Sequence, residues 1–141
     1  MKKVRQVLII DDDKASRRIM EEAARELFEK AAIITCSSAF RALSHIKAYC
    51  LPTLENQNIF CPELILLDIS MPIIDGYGFL AELHRMEGLR HNYTSILFVS
   101  NHSYAEEKDK VQYFPVLGYL EKPITAENLA YALKNILPIR N

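Results

Sequence analysis

The chain contains no apolar run long enough to cross a bilayer as a helix, which excludes a helical membrane span. Its first residues carry no apolar segment of the kind that opens a secretory leader, so a cytoplasmic location is expected. A surplus of one charge is also missing. The 17 basic and 18 acidic residues leave a formal net charge of −1. That balance gives no electrostatic footprint for nucleic acid or a membrane surface, and neither is an expected partner. The only basic cluster, Lys2-Lys3 with Arg5 nearby, is too short to count. Cysteine is scarce: Cys36, Cys50 and Cys61 make an odd number, without a C-x-x-C pair. This argues against a disulfide framework. Cys36 reads as a small buried hydrophobe, and Cys50 and Cys61 as free thiols flanking a loop. The four histidines, His45, His84, His91 and His102, show no metal-ligand spacing and read as surface residues.

What is present is alternation. Val7-Leu8-Ile9-Ile10, Leu64-Ile65-Leu66-Leu67 and Ile96-Leu97-Phe98-Val99 are continuous apolar runs, the pattern of parallel strands buried on both faces. Ala32–Cys36 and a short stretch around Gly118 to Leu120 read as two further strands. Between them lie helical patterns. Helix one carries Ile19, Met20, Ala23, Ala24, Leu27, Phe28 and Ala31. Helix two carries Ala39, Ala42, Leu43, Ile46 and Tyr49 behind a Ser37 or Ser38 cap, and helix three Phe79, Leu80, Leu83 and Met86. Ser103 and Glu106 form a capping box for helix four. The run Glu106 to Lys110 within it reads as a solvated face, with Tyr104, Ala105 and Val111 as its few apolar anchors. Thr125 caps a last helix with Leu129, Ala130, Leu133, Ile136 and Leu137 on one side. Met71-Pro72 breaks the chain and Asp75-Gly76 reads as a turn. Five βα units predict an α/β fold: a five-stranded parallel sheet between two helical layers, one domain over residues 1–141. The connection from Cys50 to Pro62 is long for such a fold.

The ends of these runs carry the chemistry. The first runs into Asp11-Asp12-Asp13, the third into Asp68, the fourth into Ser100, and Tyr119-Leu120 leads through Glu121 to Lys122-Pro123. Ligands of open α/β sheets sit outside the carboxyl ends of the strands, so these groups should meet at one edge. Carboxylates gathered there repel, and a divalent cation with oxygen ligands relieves them. Lys122 adds a positive charge and Ser100 a hydroxyl. The set matches transfer of a phosphoryl group onto Asp68. Asp13, one position past the pair, reads as the N-cap of helix one.

These residues resemble the receiver domain of bacterial two-component response regulators, of the chemotaxis-regulator type. Asp11-Asp12 is similar to its acidic pair, Leu66 to Pro72 with Asp75-Gly76 to its phosphoacceptor stretch, Ser100 to its strand-four hydroxyl, and Tyr119 with Lys122-Pro123 to its aromatic-x-x-Lys-Pro stretch. The resemblance implies a flavodoxin-like (βα)5 sandwich of strand order 2-1-3-4-5. It implies Asp68 as phosphoacceptor from a histidine kinase or histidine phosphotransfer protein. It also implies Mg2+ (or Mn2+) held by Asp12, Asp68 and the backbone carbonyl of Ser70, with Asp11 binding it directly or through water. Ser100, Tyr119, Lys122 and Pro123, with a cis Lys122-Pro123 bond, form the switch. Tyr119 has a plainer reading as an edge-strand aromatic. Asn101 stands where the family usually has a small residue, and its side chain should narrow access to the phosphoryl group. The expected function is a stand-alone phosphoacceptor, not an enzyme, with no output domain. It would signal to a downstream protein, or a second copy, through the face of helix four, strand five and helix five. The rivals are a phosphorylation-independent adaptor of the same fold, and a Mg2+-dependent phosphatase. The phosphatase would want a second Asp where Ser70 stands.

Overall fold

The computed structural model describes residues 4–50, 61–86 and 94–136. The chain runs β1 (Gln6–Ile10), α1 (Lys14–Leu27), β2 (Ala32–Cys36), α2 (Ala39–Cys50), β3 (Leu64–Asp68), α3 (Gly76–Arg85), β4 (Ser95–Ser100), α4 (Tyr104–Val111), β5 (Gly118–Glu121) and α5 (Ala126–Ile136). All strand pairs are parallel, and the sheet order is β2-β1-β3-β4-β5, the flavodoxin-like order expected. Lys2-Lys3, His91, Leu137, Pro138 and all of the Cys50–Pro62 connection except Cys50, Cys61 and Pro62 lie outside the described residues.

The apolar runs are buried on both faces because alternate residues serve two cores. Leu8, Ile10, Ile65, Leu67, Ile96 and Phe98 face α2, α3 and the end of α4, with Ala42, Ile46, Leu80, Leu83 and Val111. Val7, Ile9, Leu64, Leu66, Leu97 and Val99 face α1 and α5, with Met20, Ala23, Ala24, Leu129 and Leu133. The helices start where their caps dictate. Asp13 accepts from the Ser16 amide at 2.8 Å. Ser38 accepts from Arg41, and Ser103 and Glu106 close their box. Thr125 and Asn128 bond reciprocally at the head of α5.

Four readings change. First, Cys50 and Cys61 are joined by a disulfide, with Cα atoms 4.7 Å apart. α2 runs to Cys50, four residues past Ile46 on the same buried side, and Cys61 enters beside it just before β3. The odd count concealed a pair plus one thiol. Only Cys36 is free; it is buried, and burial raises its thiol pKa. Second, Tyr49 is exposed and Cys50 takes its place in the core. Third, Asp75 is the N-cap of α3 rather than part of a turn, accepting from the Gly78 amide at 2.8 Å. Fourth, α4 is not merely solvated. The Tyr77 hydroxyl donates to Glu107 Oε1 at 2.7 Å, and Lys110 Nζ lies 5.1 Å from the Tyr77 ring centre. Of its expected apolar anchors only Val111 is buried; polar contacts to Tyr77 of α3 and the packing of Tyr104 on Tyr119 of β5 add to it.

Candidate functional site

β1 and β3 are neighbours, so their carboxyl ends bring Asp11, Asp12 and Asp68 to one point of the sheet edge. One oxygen from each carboxylate lies within 4.8 Å of the others, the only such cluster among the described residues. Asp11 and Asp68 are buried and Asp12 is exposed. β4 carries Ser100 to the same edge, where it is fully buried and its Oγ accepts from the His102 amide at 3.0 Å. The Lys122 amide extends the ladder by donating to the Ser100 carbonyl at 2.7 Å, and the Lys122-Pro123 peptide is cis. The Lys122 side chain reaches the carboxylates. Its Nζ lies 2.7 Å from Asp11 Oδ2 and 3.2 Å from Asp68 Oδ1.

The electrostatics follow from this crowding. Burial, and next the Asp11 charge, push the Asp68 carboxyl up to about 6, against the pull of Lys122. Burial opposes the Lys122 charge, but the hydrogen bond to Asp11 and the Asp68 charge outweigh it and raise its pKa. Three carboxylates face one ammonium, so net negative charge is gathered at oxygen donors. Those donors fit a hard divalent ion such as Mg2+.

The β3–α3 loop closes the site from below. The Gly76 amide donates to the Ile69 carbonyl at 2.8 Å. A Cβ at Gly76 would stand 2.7 Å from the Asp68 carbonyl oxygen and 2.9 Å from Ile69 Cα. Glycine is needed there for this approach. Ile73, at φ 70, sits in the left-handed region that strains a β-branched residue, at the middle of a tight turn closed by Ile74 N to Pro72 O at 2.8 Å. Ser70 is exposed and lines a cleft of about 440 Å3 with Met71, Tyr77, His102 and Glu107. Asn101 and Lys122 line a second cleft of about 290 Å3 on the α1 side, with Ser16 and Ile124. Tyr119 is half-buried on the edge strand, and its hydroxyl donates to the His102 carbonyl at 2.7 Å. It thus ties β5 to the loop that leaves Ser100.

Asp11, Asp12, Asp68 and Lys122 thus meet directly; Asn101 and Pro123 line the cleft on the α1 side, Ser70 lines the other, and Tyr119 pairs with Phe98 within the sheet and reaches the site through the His102 carbonyl. Two groups were not read from the sequence: Ser16, whose hydroxyl donates to Asp11 Oδ2, and Arg17, whose guanidinium donates to the Asp11 carbonyl at 2.8 Å. Their spacing from Asp11, five and six residues, was the available signal: the first turn of α1 folds back over the end of β1.

Residues 7–134 match the family model described as the response regulator receiver domain. The chain belongs to that family. Among curated relatives, this receiver is 26% identical over 133 residues to the chemotaxis protein CheY of Halobacterium salinarum, covering 94% of this chain and 97% of that one. It is 28% identical to PilG of Pseudomonas aeruginosa, covering 94% and 87%. Other relatives are longer: the match spans 35% of the probable transcriptional regulator ycf29 of Porphyra purpurea and 13% of the histidine kinase BarA of Shigella flexneri. A two-component response regulator from Cytophaga hutchinsonii superposes with TM-score 0.80 at 22% identity, over 97% of this chain and 99% of that one, which establishes the shared fold. Receiver domains act in two-component signalling, generally as phosphoacceptors rather than enzymes. No described helix is long and apolar enough to cross a membrane.

Proposed function

We propose that Asp68 accepts a phosphoryl group from a histidine of a kinase or phosphotransfer protein, and that this receiver signals by docking to a downstream protein in the cytoplasm. The observation that carries this is the convergence of Asp11, Asp12, Asp68 and Lys122 within hydrogen-bond and metal-binding reach at one strand-end edge. Asp11, Asp12, Asp68 and the Ser70 backbone carbonyl would hold Mg2+, or Mn2+. The bound ion would offset the charge on the phosphoryl oxygens. Asp68 Oδ attacks phosphorus, and the bond to the donor nitrogen breaks. Lys122 then moves from the carboxylates onto the phosphoryl oxygens. Ser100 gives up the His102 amide and turns its hydroxyl to the same oxygens, and Asn101 screens them from water. Tyr119, bonded to the His102 carbonyl, follows the β4–α4 loop. The change reaches the face of α4, β5 and α5, where exposed Tyr104, Tyr113, Leu117 and Tyr131 offer apolar surface to a target or a second copy.

A phosphorylation-independent adaptor is disfavoured because the full carboxylate, lysine and hydroxyl set is in place. The test is amide hydrogen exchange before and after treatment with Mg2+ and acetyl phosphate. Protection is expected to change over residues 100–113 and 118–123. A change confined to α1 and α2 would place the output surface elsewhere.

A further inference from the structure

Asp11 is a buried carboxylate, and its oxygens are nearly filled. Oδ1 accepts from the Asp13 amide at 2.9 Å. Oδ2 accepts from two donors at once: Lys122 Nζ at 2.7 Å and the Ser16 hydroxyl. One of these three donors has to serve a second role, because Lys122 also lies 3.2 Å from Asp68 and is the ammonium nearest an arriving phosphoryl group. When it leaves, Oδ2 of this buried carboxylate keeps the Ser16 hydroxyl as its one remaining side-chain donor among the described contacts, beside the Mg2+ that the acidic cluster would hold. A buried carboxylate without donors is strongly disfavoured. Ser16 is the donor that stays.

We infer that Ser16 is a positioning residue: its hydroxyl holds the Asp11 carboxylate in place and keeps it satisfied while Lys122 shifts to the phosphoryl group. The inference rests on the phosphoacceptor reading of Asp68. Three features favour it. The hydroxyl is the only side-chain donor on Oδ2 besides Lys122 among the described contacts. Ser16 lines the same 290 Å3 cleft as Asn101 and Lys122, so it stands at the mouth of the site. Its backbone amide, not its hydroxyl, makes the cap bond to Asp13, so the hydroxyl is free of structural duty in α1. In the transfer itself, the P–O bond of the acyl phosphate breaks, Asp68 Oδ bonds to phosphorus, the acyl carboxylate leaves, and no proton passes through Ser16.

The test compares Ser16→Ala and Ser16→Thr with the wild type in three measurements: melting temperature without metal, Mg2+ affinity from the rise in melting temperature with Mg2+ concentration, and the rate of phosphoryl uptake from acetyl phosphate. Without metal, Ser16→Ala should melt within a few degrees of wild type, because Lys122 still covers Oδ2. Mg2+ affinity and uptake should each fall about tenfold or more, the loss expected for one charge-assisted hydrogen bond. Ser16→Thr, which keeps the hydroxyl and has the cleft for its methyl group, should return both to near wild type. Unchanged Mg2+ affinity and uptake in Ser16→Ala would overturn the inference. So would a loss that Ser16→Thr does not repair, since that marks packing. If the wild type takes up no phosphate but binds Mg2+, the phosphoacceptor reading fails, and the Mg2+ affinities of the two variants decide the role of Ser16. A wild type whose melting does not respond to Mg2+ overturns both.

Discussion

Replacing Asp68 by Asn should make the metal-free protein more stable at neutral pH. The folded state raises the Asp68 carboxyl from 3.8 to about 6, chiefly through burial and then through Asp11. A raised acid pKa means that the folded chain binds a proton more tightly than the unfolded chain. The stability this contributes is full below about pH 4 and is lost as pH rises through about 6. At about 1.4 kcal/mol per pH unit, the ionised Asp68 costs the fold about 3 kcal/mol at pH 7 and above. Asn has nearly the same shape and no charge to desolvate, so Asp68→Asn should recover up to that amount, or roughly 6–12 °C in melting temperature for a chain of this size. The assay is urea unfolding of both proteins in chelator at pH 4, 5, 6, 7 and 8. The gap should be widest at pH 7–8 and should close towards pH 4. Saturating Mg2+ should narrow it at pH 7 by stabilising only the wild type. An Asn variant no more stable than wild type at pH 8, or a gain that persists unchanged at pH 4, would refute the claim that this site stores repulsion.

Gly76→Ala forces a Cβ against the Asp68 carbonyl and Ile69 Cα, both backbone, and should destabilise by about 2–3 kcal/mol in chemical denaturation; a neutral result would show that the loop yields. Tyr77→Phe removes the bond to Glu107 and should speed amide exchange in α4 about fivefold, for a hydrogen bond worth about 1 kcal/mol. Unchanged exchange there would mean that Tyr77 does not restrain α4. Asn101→Ala should shorten the lifetime of the phosphorylated protein by opening the cleft to water, and an equal or longer lifetime would discard its screening role.

The three central strands β1, β3 and β4 were legible because each is buried on both faces, and burial writes itself into the sequence as unbroken apolar runs. Local signals were equally clear. Asp13 and the Ser103–Glu106 box announce themselves within four residues, because a cap is a contact between near neighbours. The carboxylates, Ser100 and Lys122 could be gathered on paper because a parallel sheet places the ends of its strands on one edge. What was hidden depends on contacts across the chain. The Cys50–Cys61 bond needs α2 to end where β3 begins, and the cysteine count argued against it. The Tyr77–Glu107 bond joins residues 30 apart, so the charges of α4 read as solvent-facing although one of them is held by α3. Gly76 read as a turn residue, whereas the reason for a glycine lies in how closely α3 approaches β3. The position of Lys122, nearer Asp11 than Asp68, follows from packing that no spacing encodes.

The central claim is that Asp68 takes the phosphoryl group, and intact-protein mass after incubation with Mg2+ and acetyl phosphate tests it most directly. The wild type should gain one phosphoryl group, borohydride trapping followed by peptide mapping should place it on Asp68, and Asp68→Asn should gain none under the same conditions. Equal uptake by Asp68→Asn, or a phosphoryl group mapped to Asp11, Asp12 or any other residue, would contradict the account.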